Sequence, residues 1–262
     1  MWTLDLIGIG TGNPDHLTLA GVKAMQQADL ILLPLKGDAK SELAEVRREI
    51  CRRVLDPATP VLAEFDLPVR DSSGVYLDGV RDWHDAIAQV WQTTITQSCP
   101  DARRVALLIW GDPSLYDSAL RIATRLSPTP TVQVYPGITA LQALTAAHAI
   151  PLNNLGAPVQ ITTGRQLREH GWPSGVDTIA VMLDGDCSFT HVISQDISIW
   201  WGAYLGMPNQ ILLQGKLHEI ADTIVARRAE ARADHGWIMD TYLMRRMDNA
   251  AGQDRTGTTS QG

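Results

Sequence analysis

The residues best suited to chemistry in this chain are glycines and carboxylates that close apolar runs. "LDLIGIGTGNPDHLT" sets Gly8, Gly10 and Gly12 around the end of the first apolar run. "LLIWGDPSLY" ends on Gly111 and Asp112, "TVQVYPGITA" on Pro136 and Gly137, and "ILLQGK" on Gly215. In an open α/β sheet, ligands bind beyond the carboxyl ends of the strands. A glycine there removes a side chain and lets backbone N–H and C=O groups reach the ligand. One such glycine is commonly a turn; a series of them predicts a small-molecule site.

The first cluster invites a dinucleotide reading. That fingerprint needs glycines at the first, third and sixth positions, with an acidic residue for the ribose roughly 20 residues on. Gly8 and Gly10 meet the first two conditions, but Asn13 occupies the sixth position and Pro14 follows. After the second apolar run stands Lys36, with Asp38 beyond it. The spacing argues against a dinucleotide and for a loop that some other ligand approaches.

These residues need a frame. Apolar runs near 4–9, 28–35, 60–69, 103–110 and 131–135 alternate with helical periodicity at 18–27, 40–54, 79–97 and 117–126. Strands that alternate with helices predict a mainly parallel sheet. Thr18 suits a helix N-cap, with Leu19, Val22 and Met25 on one face. In the second helix Leu43, Val46 and Ile50 share the apolar face, which leaves Arg47, Arg48, Arg52 and Arg53 elsewhere. Later strands are expected in "APVQITTG", "TIAVMLDG", "QILLQG" and "GWIMDTYLM", with a helix over 219–233. The domain change falls near 135–150, which gives domains 1–137 and 138–247 and a polar tail, 248–262, expected to be disordered.

Composition narrows the function. A net charge of −7 argues against nucleic acid, whose phosphates need a basic stripe. No apolar run reaches the length of a membrane span, about 18 residues. Cys51, Cys99 and Cys187 are isolated and lack metal-ligand spacing. They read as reduced thiols of a cytoplasmic protein, with no metal expected. Eight tryptophans stand against two phenylalanines, and the adjacent Trp200 and Trp201 would face opposite sides of a strand, most simply as core.

Taken in order, "GIGTGNPDHLT", "WGDPSLY", "YPGITALQALTAAHAIPL", "TTGR", "VMLDG" and "LLQGK" resemble the tetrapyrrole (uroporphyrin-III C/precorrin) methyltransferases, over about residues 4–246. The resemblance implies an α/β fold of two domains, a parallel-sheet N-terminal one and a mixed-sheet C-terminal one. It implies S-adenosyl-L-methionine in the cleft between them, a tetrapyrrole substrate and a homodimer. It places Pro14 near the transferred methyl, and Trp110, Gly111, Asp112 and Leu115 against the methionine part of the cofactor. Thr139 and Ala140 would flank that part, Met182 would pack on the adenine, and Gly215 would meet the adenosine by backbone. Asp112 also suits a Gly-Asp-Pro turn, and Thr139 a helix N-cap. The final "MDTYLM" departs from the small residues of relatives, which leaves Asp240 and Thr241 without an assigned contact.

"LLPLKGDAKSELAEVRREI", "GVRDWHDAIAQVW" and "WGDPSLYDSALRI" further resemble the branch that couples ring methylation to release of acetate. Loss of an acetyl group requires water to attack its carbonyl, which invites a general base. Asp15, His16, Asp38 and Asp184 are the candidates. Lys36, Lys40 and Arg165 are the candidates for the substrate carboxylates. A member of the same superfamily with a different acceptor, or a protein that binds these ligands without turnover, fits the same residues.

Overall fold

Apolar strands with helices between them wind the first half of the chain into one parallel sheet. The computed structural model describes residues 1–35, 41–56, 60–69, 76–194 and 196–246. Strands β1 (Thr3–Gly8), β2 (Leu30–Leu35), β3 (Val61–Asp66), β4 (Arg104–Ile109) and β5 (Thr131–Tyr135) lie in the order β3-β2-β4-β1-β5, all parallel. The inner strands β1 and β4 are apolar on both faces because helices cover both. Ile87 and Trp91 of α3 (Tyr76–Ser98) and Ile122 of α4 (Ala119–Ala123) pack on Leu4, Leu6 and Leu107. Met25 of α1 (Leu19–Gln26) and Ile50 of α2 (Ser41–Val54) pack on Ile7, Ile31 and Leu108.

The chain then passes to a second sheet through α5 (Ala140–His148), whose apolar side packs on that sheet. Strands β6 (Val159–Thr163), β7 (Thr178–Met182), β8 (Ile197–Ala203), β9 (Ile211–Lys216) and β10 (Asp240–Arg246) lie in the order β6-β7-β10-β8-β9. β6 and β7 are parallel, while β10 runs antiparallel to both of its neighbours, so this sheet is mixed. Helices α6 (Gly164–His170) and α7 (Leu217–His235) complete it.

Strand β8 is not among the expected strands, yet it lies inside the sheet. Trp200 and Trp201 do face opposite sides: Trp201 lies in the core under α7, and Trp200 packs on the α5 side. Leu19, expected on the buried face of α1, is 81% exposed; Met25 is buried as expected, together with Gly21 and Ala24. The anticipated tail lies outside the described residues. No helix among the described residues is long and apolar enough to cross a membrane.

Candidate active site

Three loops meet at the carboxyl ends of β4, β1 and β5. They meet through glycine backbones. A Cβ on Gly137 would lie 2.1 Å from the Gly111 carbonyl oxygen and 2.7 Å from the Gly8 carbonyl carbon. Asp112 ties the same junction: Oδ2 accepts the Gly137 N–H at 2.8 Å, and Oδ1 accepts the Ser114 N–H at 2.8 Å. Burial acts to raise the Asp112 pKa, but the Ser114 and Gly137 hydrogen bonds outweigh it and hold the carboxyl below its ordinary value.

The glycine loop is not free for a pyrophosphate. Gly10 and Gly111 form an antiparallel bridge in which the Gly111 N–H donates to the Gly10 carbonyl at 2.7 Å. A 3-10 turn, Pro14–His16, separates the loop from α1. The start of α1 is capped by the Thr18 hydroxyl, which accepts the Gly21 N–H at 3.1 Å. The dinucleotide reading is thereby disfavoured by the structure as well as by spacing.

Beside this junction, between the two sheets, opens a cavity of about 680 Å³. That volume lies within the range of small-molecule sites. Trp110, Gly111, Asp112, Leu115, Thr139, Ala140, Met182 and Asp184 all line it. Gly111 has φ 68°, and a Cβ there would meet only the Thr139 Cα, at 4.0 Å. Its missing side chain therefore leaves room on the wall. Thr139 caps α5 and closes a capping box with Gln142. Thr11, from the glycine loop, is also on the wall, and its buried hydroxyl has no hydrogen-bond partner among the described residues.

The second sheet supplies the facing wall. Arg228 of α7 donates to Asp240 at 2.9 Å, and to the carbonyls of Asp184 at 2.9 Å and Gly185 at 3.2 Å. It thereby locks the loop after β7 to the start of β10. Burial opposes the Arg228 charge, but Asp240 overcomes this and its pKa is raised. Asp240 and Thr241, left unassigned by sequence, both line the cavity, and the Thr241 hydroxyl donates to the Val181 carbonyl at 2.8 Å.

Several expected residues have other places. Asp184 is on the wall, but its carboxylate accepts from Asp186, Ser188 (twice) and Tyr242, which occupies it as a structural anchor rather than a base. Asp15 is exposed and paired with Arg53 at 2.6 Å, away from the wall. His16 packs where a Gly10 Cβ would sit, and it does not line the cavity. Pro14 opens the 3-10 turn, and Thr11 takes the wall position of that loop. Arg165 is exposed in the first turn of α6, outside the wall. Gly215 lies near the end of the edge strand β9, antiparallel to β8, where it pairs with Ile199, four residues from the Ala203 that pairs with Asp240 on the wall, and it does not line the cavity. Lys36, Asp38 and Lys40 lie outside the described residues.

Arg47 and Asp117 are among the wall residues that escape sequence reasoning. Helical periodicity turns Arg47 outward with its basic neighbours, whereas the structure turns it in. Its Nε donates to the Leu108 carbonyl at 3.3 Å and Nη1 to that of Leu43 at 3.2 Å, and the guanidinium lies 5.6 Å from the Trp110 ring centroid. A signal is present: Arg47 stands four residues after Leu43 and three before Ile50, which is the apolar stripe. Asp117 sits on the wall after Tyr116, whose φ is 53°. No sequence rule predicts a left-handed tyrosine.

Comparison with known proteins places the chain among its relatives. The family profile of the tetrapyrrole (corrin/porphyrin) methylases matches residues 3–221. The chain is 46% identical over 246 residues to a precorrin-6A synthase (deacetylating) of a Sinorhizobium species, covering 92% of this chain and 94% of that one. A solved structure of a cobalamin synthesis related protein (CobF) from Corynebacterium diphtheriae superposes with a TM-score of 0.80 at 39% identity, over 95% of this chain and 100% of that one. A uroporphyrin-III C-methyltransferase of Thermus thermophilus, solved with S-adenosyl homocysteine, shares the fold at a TM-score of 0.54 and 16% identity, over 93% and 97% of the two chains. The profile match over residues 3–221 and the near full-length identity make this chain a member of the tetrapyrrole (corrin/porphyrin) methylase family.

Proposed function

We propose that this chain methylates C-1 of precorrin-5 with S-adenosyl-L-methionine and releases acetate, forming precorrin-6A, in the cytoplasm and as a homodimer. The observation that carries the reading is the cavity at the strand ends, where "WGDPSL", Thr139, Ala140 and Met182 converge. The near full-length likeness to a precorrin-6A synthase supports the choice of acceptor.

The residues present suit the cofactor. Trp110, Leu115 and Met182 give the apolar surface that an adenosyl group needs, with Asp112 and Thr11 as placed polar groups. Thr11 offers a buried hydroxyl with no partner among the described residues, and Gly111 offers room where a side chain would stand. The bound cofactor supplies the electrophilic methyl group. The chain's contribution to methylation is to hold the acceptor carbon in line and to exclude water.

The test is incubation with precorrin-5 and methyl-labelled S-adenosyl-L-methionine. Label in the corrinoid and free acetate should appear in a one-to-one ratio. Methyl transfer without acetate moves the chain to another acceptor within the family; binding without turnover removes the catalytic reading.

A further inference from the structure

The deacetylation step needs a base, and no expected candidate within the described residues offers a free group on the cavity wall: His16, whose buried Nδ1 has no hydrogen-bond partner among them, does not line it. Asp184 is saturated with hydrogen bonds, and Asp15 is in a surface ion pair. One carboxylate on the cavity wall is differently placed. Resting on the reading above, we infer that Asp117 is the base that activates water against the acetyl carbonyl, and that Arg47 holds the oxygen on which charge develops.

Asp117 follows Tyr116, an aromatic residue in the left-handed region at φ 53°. Bulky L-residues adopt that conformation only where the surrounding structure enforces it, and such positions gather at functional sites. Asp117 Oδ1 accepts the Ala119 N–H at 2.6 Å, which fixes the side chain at the head of α4. No hydrogen bond to Oδ2 is seen among the described residues, which leaves that oxygen for a water. Burial raises the Asp117 pKa, against the hydrogen bond from Ala119 and the charges of Arg47, Arg121 and His84. A carboxylate raised in this way is a stronger base than one at the surface.

Arg47 reaches the same cavity from α2. It makes no ion pair within 4.0 Å among the described residues, where its hydrogen-bond acceptors are two backbone carbonyls. Burial lowers its pKa to about 10, so it stays charged at neutral pH. A desolvated cation with only neutral acceptors is poised for an anion. Arg47 and Asp117 line the same cavity, with no ion pair between them within 4.0 Å among the described residues.

The step balances with water as the only co-reactant. Water loses a proton to Asp117 as its oxygen bonds to the acetyl carbon, and the carbonyl oxygen becomes an oxyanion beside Arg47. As the carbonyl re-forms, the bond between the acetyl carbon and C-1 breaks. The electron pair passes to C-1, the nucleophile that methylation consumes. Acetic acid leaves and ionises, and Asp117 returns its proton to solvent.

The decisive variant is Asp117→Asn, which keeps an acceptor for the Ala119 N–H. Acetate release and methyl transfer should fall together by about 10²–10⁴-fold. Affinity for S-adenosyl homocysteine, by calorimetry, should stay within about threefold, since proton transfer in the transition state plays no part in binding that product. Turnover of the parent should fall at low pH as Asp117 takes up a proton, and Asp117→Asn should lack that acid limb. Arg47→Met should lose roughly 10²–10³-fold. Turnover of Asp117→Asn near the parent level, or an acid limb that persists in it, overturns the assignment. If Asp117→Asn does not fold, Asp117→Ser, which also caps α4, gives the same readings. A parent that forms acetate while Asp117→Asn stays active refutes this pair alone; a parent that methylates without acetate refutes the deacetylating reading and the pair with it.

Discussion

Gly111→Ala separates room for a ligand from room for the fold. Gly111 has φ 68°, where a residue with a Cβ costs roughly 1–2 kcal/mol. No steric clash adds to this, because the new Cβ meets only the Thr139 Cα at 4.0 Å. For a chain of this size the strain corresponds to a fall in Tm of roughly 2–8 °C. The methyl stands on the cavity wall beside Trp110 and Asp112, so a ligand that contacts the Gly111 backbone must withdraw. Loss of one hydrogen bond to a charged ligand group costs about 1.5–3 kcal/mol, or roughly 10–150-fold in Kd. Calorimetric titration with S-adenosyl homocysteine, run beside thermal unfolding, reads both quantities. A lowered Tm with unchanged Kd would mean that Gly111 serves the backbone alone and that the cofactor sits elsewhere. An unchanged Tm would refute the strain argument itself.

Gly137→Ala should be worse for the fold, because its Cβ would lie 2.1 Å from a backbone oxygen that cannot swing away. A loss of about 3 kcal/mol in urea unfolding is expected, and a loss smaller than that of Gly111→Ala would refute the packing role. Arg228→Met leaves the buried Asp240 without its cation and should cost about 3–5 kcal/mol, much of it recovered by adding Asp240→Leu. Asp112 titrates below its ordinary 3.8 when folded. Between the two values the unfolded chain binds more protons, so stability rises with pH there. The contribution is full above pH 3.8 and is lost as pH falls through the folded value. Asp112→Asn should flatten that acid arm in unfolding curves measured against pH.

The frame is legible in the chain because its signals are local. Apolar runs, caps and turn residues act within a few positions, so β1 to β5, the Thr18 cap and the parallel character of the first sheet can be read from them, whereas the strand order cannot. The segment of β8 is harder. "ISIWWGA" has no strict alternation, since an interior strand is buried on both faces and its periodicity vanishes. Trp110 to Asp112, Thr139, Ala140 and Met182, which the family resemblance singles out, all line the cavity.

By itself, then, the sequence determined the alternation of strands and helices in the first half, the glycine series at the strand ends and the family they signify. Tertiary structure decided what each residue does there. Gly8 and Gly137 press backbone against backbone, whereas Gly111 opens onto a cavity, although all three look alike in sequence. Asp184 resembles a base until Tyr242, 58 positions away, is seen to donate to it. Arg47 resembles its surface neighbours until α2 is docked over β4, which sets its Nε on the Leu108 carbonyl, 61 positions distant. Gly215 resembles the other strand-end glycines until the antiparallel pairing of β9 with β8 sets it against Ile199, off the cavity wall. The physical reason is common to all four. Hydrogen bonds, steric room and burial depend on which atoms meet in space, and packing joins atoms that the chain holds far apart.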